Sequence, residues 1–211
     1  MRCFKIVFIS MLGASSLVAQ ADTAKGWYVG VTGGQSKNKF ESKDTSKIMV
    51  PGSLSTIKDT DFSPSLFAGY QFNKTFGIEG GYTHLGNYRI HVTMPGGLAI
   101  AEKYNVDAWH AAATASLHID EQLALFAKVG LVRTHVKDTY KFNTSDKQYK
   151  FTKTRINPLL GVGVKYSINP QWSLRLEYEY FGKVGSAITP TGEGTARARN
   201  SRISAGVTHH F

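Results

Sequence analysis

The 211-residue chain carries 25 basic and 15 acidic side chains, a formal net charge of +10, and a single cysteine. This length supports one domain, and no disulfide framework can be built from one thiol. Beyond residue 21 no window approaches the roughly eighteen uncharged apolar residues a membrane helix requires, which excludes a helical span.

At the start, Arg2 and Lys5 precede the apolar run 6–12, and a small-residue stretch ends in Ala19-Gln20-Ala21. That is the layout of a secretory signal with an A-x-A cleavage site. Residues 1–21 are expected to be removed, leaving 22–211 as one domain of 190 residues with a net charge of +8. Cys3 leaves with the signal, so backbone pairing and packing must hold the exported fold.

From Gly26 onward apolar residues recur at period two, which predicts strands at 26–35, 63–72, 75–87, 106–117, 123–133, 154–168, 172–181 and 201–211. In 172–181, Trp172, Leu174, Leu176, Tyr178 and Tyr180 alternate with Ser173, Arg175, Glu177 and Glu179. A soluble sandwich also alternates, but it turns its charged face to water; a small membrane barrel turns that face inward and its aromatic face to lipid. Lipid also demands an internal partner for every backbone polar group, which a closed barrel provides.

Three features favour the barrel. Tyr70-x-Phe72-Asn73-x-x-Phe76-x-Ile78-Glu79-x-x-Tyr82 matches Tyr166-x-Ile168-Asn169-x-x-Trp172-x-Leu174-Arg175-x-x-Tyr178, with a weaker copy around Leu117, Ile119, Asp120, Leu123 and Leu125. The turns at Asn73, Asp120 and Asn169 recur 47 and 49 residues apart, each joining two strands and each flanked by aromatic or apolar residues. Against these tight turns stand four long polar connections at 36–61, 88–105, 134–153 and 182–200, the asymmetry of a barrel with one short-turn rim and one long-loop rim. The chain ends on alternating apolar residues and Phe211, and eight strands return both termini to one side. Within the first connection, Ile48-Met49-Val50 is the segment suited to extend a strand above the membrane. The fold expected is all-β: an eight-stranded antiparallel up-and-down transmembrane β-barrel.

Ala68-Gly69-Tyr70-Gln71-Phe72-Asn73, Gly77-Ile78-Glu79-Gly80-Gly81-Tyr82, Leu85-Gly86 and Arg175-Leu176-Glu177-Tyr178 resemble the transmembrane domain of the outer membrane protein A family, as do Gly26-Trp27-Tyr28, the stretch 158–166 and Phe211. The resemblance covers nearly all of residues 22–211. It implies a Gram-negative outer membrane, periplasmic termini, extracellular loops, lipid and lipopolysaccharide as surroundings, and Phe211 as part of the signal read by the barrel-assembly machinery. His209 stands where that signal usually has an apolar residue. Larger members carry a periplasmic peptidoglycan-binding domain after the barrel, which a chain ending at Phe211 is expected to lack.

Alternation points Glu79, His110, Thr114, Lys128, Lys165, Arg175, Glu177 and Glu179 inward, three acids against three bases plus a histidine. An eight-stranded barrel is only wide enough for its side chains to fill it, so Glu79 and Arg175 on facing strands are expected to meet across the lumen, within an ion-pair network that takes in Lys128, Lys165, Glu177 and Glu179. The resemblance implies that such a Glu–Arg pair gates a narrow conductance. Thr114 and Lys165 depart from the family's other two members of that set, so at most a small, gated pore is expected.

The leading functional reading is thus a structural surface protein. The alternative is an adhesin: Lys137, Lys141, Lys147, Lys150 and Lys153 in the third connection, Lys37, Lys39, Lys43, Lys47 and Lys58 in the first, and Lys183, Arg197, Arg199 and Arg202 in the last and its exit make a basic outer rim, suited to lipopolysaccharide phosphates, host glycans or host proteins. Nucleic acid is disfavoured, because no basic stretch is interleaved with stacking aromatics. A lipid A-modifying enzyme is the remaining alternative. The seven histidines do not supply a convincing nucleophile–base pair, and their spacing suggests no metal site, so neither catalysis nor a cofactor is expected.

Overall fold

The computed structural model describes residues 25–40, 54–93, 99–142, 148–187 and 196–211. The expected signal segment and Ile48-Met49-Val50 lie outside them. Among the described residues nine strands form: β1 (Gly26–Phe40), β2 (Leu54–Lys58), β3 (Thr60–Gln71), β4 (Phe76–Thr93), β5 (Ala99–His118), β6 (Leu123–Phe142), β7 (Gln148–Ser167), β8 (Trp172–Ala187) and β9 (Ala196–His210).

All pairings are antiparallel, and the order β3-β1-β9-β8-β7-β6-β5-β4 closes through pairing of β4 with β3. The ring therefore has eight staves. The short β2 continues the line of β3 beyond Asp59, pairing Leu54–Lys58 with the far end of β4. Closure leaves no sheet edge in lipid, which satisfies the backbone there.

The repeated Asn/Asp of the three turns has one physical role. Asn73 Oδ1 accepts from the backbone N–H of Thr75 and Phe76 at 2.9 and 2.8 Å, and Asn169 does the same for Gln171 and Trp172 at 2.9 and 2.8 Å. Asp120 caps Gln122 and Leu123 at 2.8 and 2.6 Å. A short acceptor side chain that binds its own backbone two and three residues on is what these turns require.

At the opposite rim the strands run well past their expected ends. β4 and β5 pair as far as Thr93 and Ala99, and β6 and β7 as far as Lys141 and Gln148, so the connections at 88–105 and 134–153 are mostly hairpin. The outward positions there are polar, among them Arg89, Lys103, Lys137 and Lys150, so the apolar outer face that marks a strand in lipid ends although backbone pairing continues. Lys137, Lys141, Lys150 and Lys153 accordingly stand on strands rather than on a loop, and Lys147 lies outside the described residues. Gly86 on β4 and Gly182 on β8 have φ of 119° and 74°, and both sit at register shifts just above the lipid-facing zone. A bulge at positive φ favours glycine.

Outward side chains form an apolar belt four or five positions deep, including Val29, Val31, Leu66, Ile78, Val129, Leu131, Leu160, Val162, Leu174, Leu176, Ile203 and Val207, all exposed. At the short-turn rim Trp27, Tyr70 and Phe72 touch in sequence with centroids 5.1 and 5.4 Å apart. His209 packs edge-on between Trp172 and Phe211, 4.7 Å from each, and so joins this aromatic girdle.

Candidate functional site

β4 and β8 are four staves apart in the ring, diametrically opposed. Glu79 and Arg175 meet across the axis, Nη1 to Oε2 at 2.6 Å and Nη2 to Oε1 at 3.3 Å, a two-pronged charge-assisted pair. Arg175 also donates from Nε to Glu177 Oε2 at 3.0 Å, and its guanidinium lies between the rings of Phe67 and Phe126, 4.6 and 4.4 Å from their centroids. Two aromatic faces and two carboxylates hold it in place.

Lys128 on β6 links the rest, with Nζ 3.3 Å from Glu79, 3.2 Å from Glu177 and 2.5 Å from Glu179. Its stem passes over Gly161 on β7, where a Cβ would stand 2.7 Å from Lys128 Cγ. Glu179 in turn receives Arg202 Nη1 at 2.6 Å. Arg202 spends its other donors on Ser63 O at 3.1 and 3.2 Å and on Thr32 Oγ1 at 2.6 Å.

The connected cluster is therefore Glu79, Glu177 and Glu179 against Lys128, Arg175 and Arg202, in balance. Two expectations need correction. Arg202, read as part of the basic rim, is 1% exposed and sits in the lumen because β9 begins well before it and the alternation from Ser204 carries it inward. Lys165, expected in the network, has no carboxylate within ion-pair distance among the described residues; it stands toward the short-turn mouth, 5.7 and 5.9 Å from the centroids of Tyr28 and Phe126. Thr114 and His110 do face inward and are buried, with His110 Nε2 3.8 Å from Glu79, beyond hydrogen-bond reach.

Above the charges, toward the long-hairpin rim, the β4–β8 side of the lumen carries an apolar cluster, facing the buried polar Ser36, Asn38, Ser63 and Asn200 of β1, β3 and β9. Leu85, Val106, Ala108, Val132, Val136, Leu159 and Phe181 pack together with Tyr88, and Leu85, Val132, Leu159 and Phe181 are fully buried. Ser36 donates to Leu85 O and contacts the Tyr88 hydroxyl, and Asn200 donates to Asn38 at 2.8 Å and to Tyr88 at 3.2 Å, tying β1, β4 and β9 around this plug.

Two polar constellations were not legible along single strands. Ser173 on β8 and His210 on β9 approach to 3.3 Å at the short-turn mouth, a serine–histidine contact made across strands. Ser173 is 1% exposed, and among the described residues no carboxylate orients His210, so the pair lacks the third member and the access a hydrolase needs. On the outer wall, Asp107 accepts from Tyr82 Oη at 2.7 Å and lies 2.8 Å from His84 Nδ1. No group of three metal-ligating side chains occurs among the described residues.

Residues 21–211 match the family model of the OmpA-like transmembrane domain. The chain belongs to that family. It is 28% identical over 160 residues to outer membrane protein A of Serratia marcescens, covering 76% of this chain and 42% of the relative. It is 27% identical over 206 residues to that of Shigella flexneri, covering 97% and 54%, and 25% identical to outer membrane protein P5 of Haemophilus influenzae, covering 96% and 58%. The chain thus spans about half the length of these relatives. In fold it is similar to the Neisserial surface protein A, with TM-score 0.55, 20% identity and coverage of 88% and 97%. It is likewise similar to OprG of Pseudomonas aeruginosa, with TM-score 0.55, 13% identity and coverage of 88% and 96%. It is an OmpA-like β-barrel of the Gram-negative outer membrane.

Proposed function

We propose that this barrel is a structural surface protein with a closed lumen, inserted with its short turns and termini in the periplasm and its long hairpins outside. One observation carries the reading: the balanced ion cluster is capped by the apolar plug of Leu85, Val106, Val132, Leu159 and Phe181, so a hydrated ion entering from the hairpin side would meet packed apolar side chains before it reached the cluster. Opening requires both moving packed side chains and separating desolvated charges, which makes conduction a rare event. Phe211 and the signal at residues 1–21 serve export and assembly, and the chain acts without enzymatic chemistry or a cofactor.

Reconstitution into planar bilayers tests this. The expected record is a flat baseline with rare brief openings; a steady ohmic conductance from single barrels overturns it.

A second reading, adhesion through the hairpins, is favoured by the exposed Lys37, Lys39, Lys137, Lys150 and Lys153, which offer cations beyond the membrane surface to acidic host glycans or proteins. Cells displaying the barrel with hairpins 88–105 and 134–153 shortened should lose attachment to glycosaminoglycan-coated surfaces if this reading holds.

A further inference from the structure

The charge balance of the lumen ends at the short-turn mouth. Thr208 on β9 stands opposite Ser173 on β8 in register, His210 on β9 opposite Tyr28 on β1, and Lys165 on β7 beside Arg175, one inward step from Ser173. Lys165 Nζ lies 5.7 Å from the Tyr28 ring centroid, the His210 ring lies 5.6 Å from the same ring, and His210 Nε2 approaches Ser173 Oγ to 3.3 Å. These inward side chains therefore form one patch around the mouth. Lys165 and His210 are half-buried, whereas Ser173 and Thr208 are each 1% exposed. Among the described residues the Thr208 hydroxyl has no hydrogen-bond partner, and Lys165 has no carboxylate within ion-pair distance. Deeper in, Glu79, Glu177 and Glu179 are already matched by Arg175, Lys128 and Arg202.

A lysine drawn out of bulk water without a counter-charge and a buried hydroxyl without a partner both carry a desolvation cost. One kind of ligand relieves both. We propose that the short-turn mouth binds a small phosphate-class oxyanion, held by the Lys165 ammonium and by hydrogen bonds from the Ser173 and Thr208 hydroxyls. With His210 Nε2–H donating to Ser173 Oγ, the serine O–H is left to donate to the anion, so His210 is the positioning residue. Thr208 is covered, so seating the ligand takes a side-chain rotation at its neighbours Ser173 and His210. Donors spread over three strands suit an anion with several oxygens rather than a halide. A phosphate free in solution and one on a lipid head present the same oxygens. The strand wall and the girdle of Trp27, Trp172 and Phe211 stand between this mouth and the acyl chains, which favours the free ion. The orientation proposed above enters only in naming the periplasm as its source, and a conducting lumen would leave the site in place.

The test is a titration of the purified barrel with inorganic phosphate, followed by NMR of the histidine rings in a maltoside detergent, which carries no phosphate. Sodium chloride is exchanged for sodium phosphate at fixed pH and ionic strength. The His210 signals are expected to shift saturably, while those of His84 and His135 toward the hairpin rim and of His209 in the girdle do not follow the same curve. Lys165→Met should raise the half-saturating concentration about tenfold or more, the loss of a charge-assisted hydrogen bond, and Thr208→Val about fivefold, the loss of a neutral one. Lys165→Arg, which keeps the cation, should stay within about threefold of wild type. Each variant is first shown to be folded by its unboiled gel mobility. The proposal is overturned if His210 shifts without saturation or only in step with His84 and His135, or if Lys165→Met titrates as wild type does. It is equally overturned if short-chain phosphatidylglycerol shifts His210 at lower concentration than inorganic phosphate, which would make a lipid head the ligand.

Discussion

Arg175 on β8 and Glu79 on β4 are joined directly across the width of the barrel, at 2.6 Å between Nη1 and Oε2. Strands four staves apart cannot exchange backbone hydrogen bonds, so this pair ties together opposite walls that the sheet leaves unlinked. Removing one partner strands the other in a desolvated interior.

Arg175→Ala should destabilise the barrel by about 3–5 kcal/mol, because Glu79 keeps only Lys128 and a long hydrogen bond from Tyr28 Oη, and the two flanking rings lose their cation. Urea unfolding followed by the folded and unfolded gel bands measures it. Arg175→Met with Glu79→Gln should recover much of the loss, and an unchanged midpoint in Arg175→Ala would remove the cluster from the stability argument.

Arg202→Ala and Lys165→Met separate a bound lumen cation from one without a carboxylate. The first frees Glu179 of its 2.6 Å partner and should also cost about 3 kcal/mol; the second should stay within about 1 kcal/mol of wild type. Equal losses in the same urea series would mean that any lumen cation matters, whatever its partner.

Phe181→Ala should open a cavity in the apolar plug, costing about 3–5 kcal/mol. In planar bilayers it should raise the frequency of openings well above wild type, while Phe67→Leu, a ring against Arg175, leaves the plug intact. A Phe181→Ala record as silent as wild type would show that the charges, and not the plug, close the lumen.

At the turns, Asn169→Ala removes an acceptor for two backbone N–H groups and should cost about 1 kcal/mol. Asn169→Asp should be tolerated, as Asp120 makes the same contacts. Loss of stability in both alike would argue that the side-chain cap is not what shapes the turn.

On the lipid face, Leu176→Arg should destabilise by about 2–4 kcal/mol in bilayers. The same change at Lys137, above the belt, has no such cost to impose, so Lys137→Arg serves as the control for handling.

Period-two alternation, the three Asn/Asp turns and the inward Glu79 and Arg175 were legible in the residue string because each depends on local geometry: pleat, turn chemistry and the requirement that lipid meet apolar side chains. Strand ends above the belt were not, since Thr139 or Lys150 can face water on either side of a sheet and leave no pattern to read. Arg202 and Lys165 were exchanged in the reading for a related reason. Alternation assigns a face, but not which carboxylate a cation reaches across the lumen. The residues alone determined a membrane-spanning cylinder of strands with charges inside. Only closure of the ring, which sets stagger and brings β4 opposite β8, decided which charges pair, that Arg202 takes the place expected of Lys165, and that an apolar plug caps the cluster. Those outcomes depend on distances between strands far apart in sequence, and no local pattern encodes them.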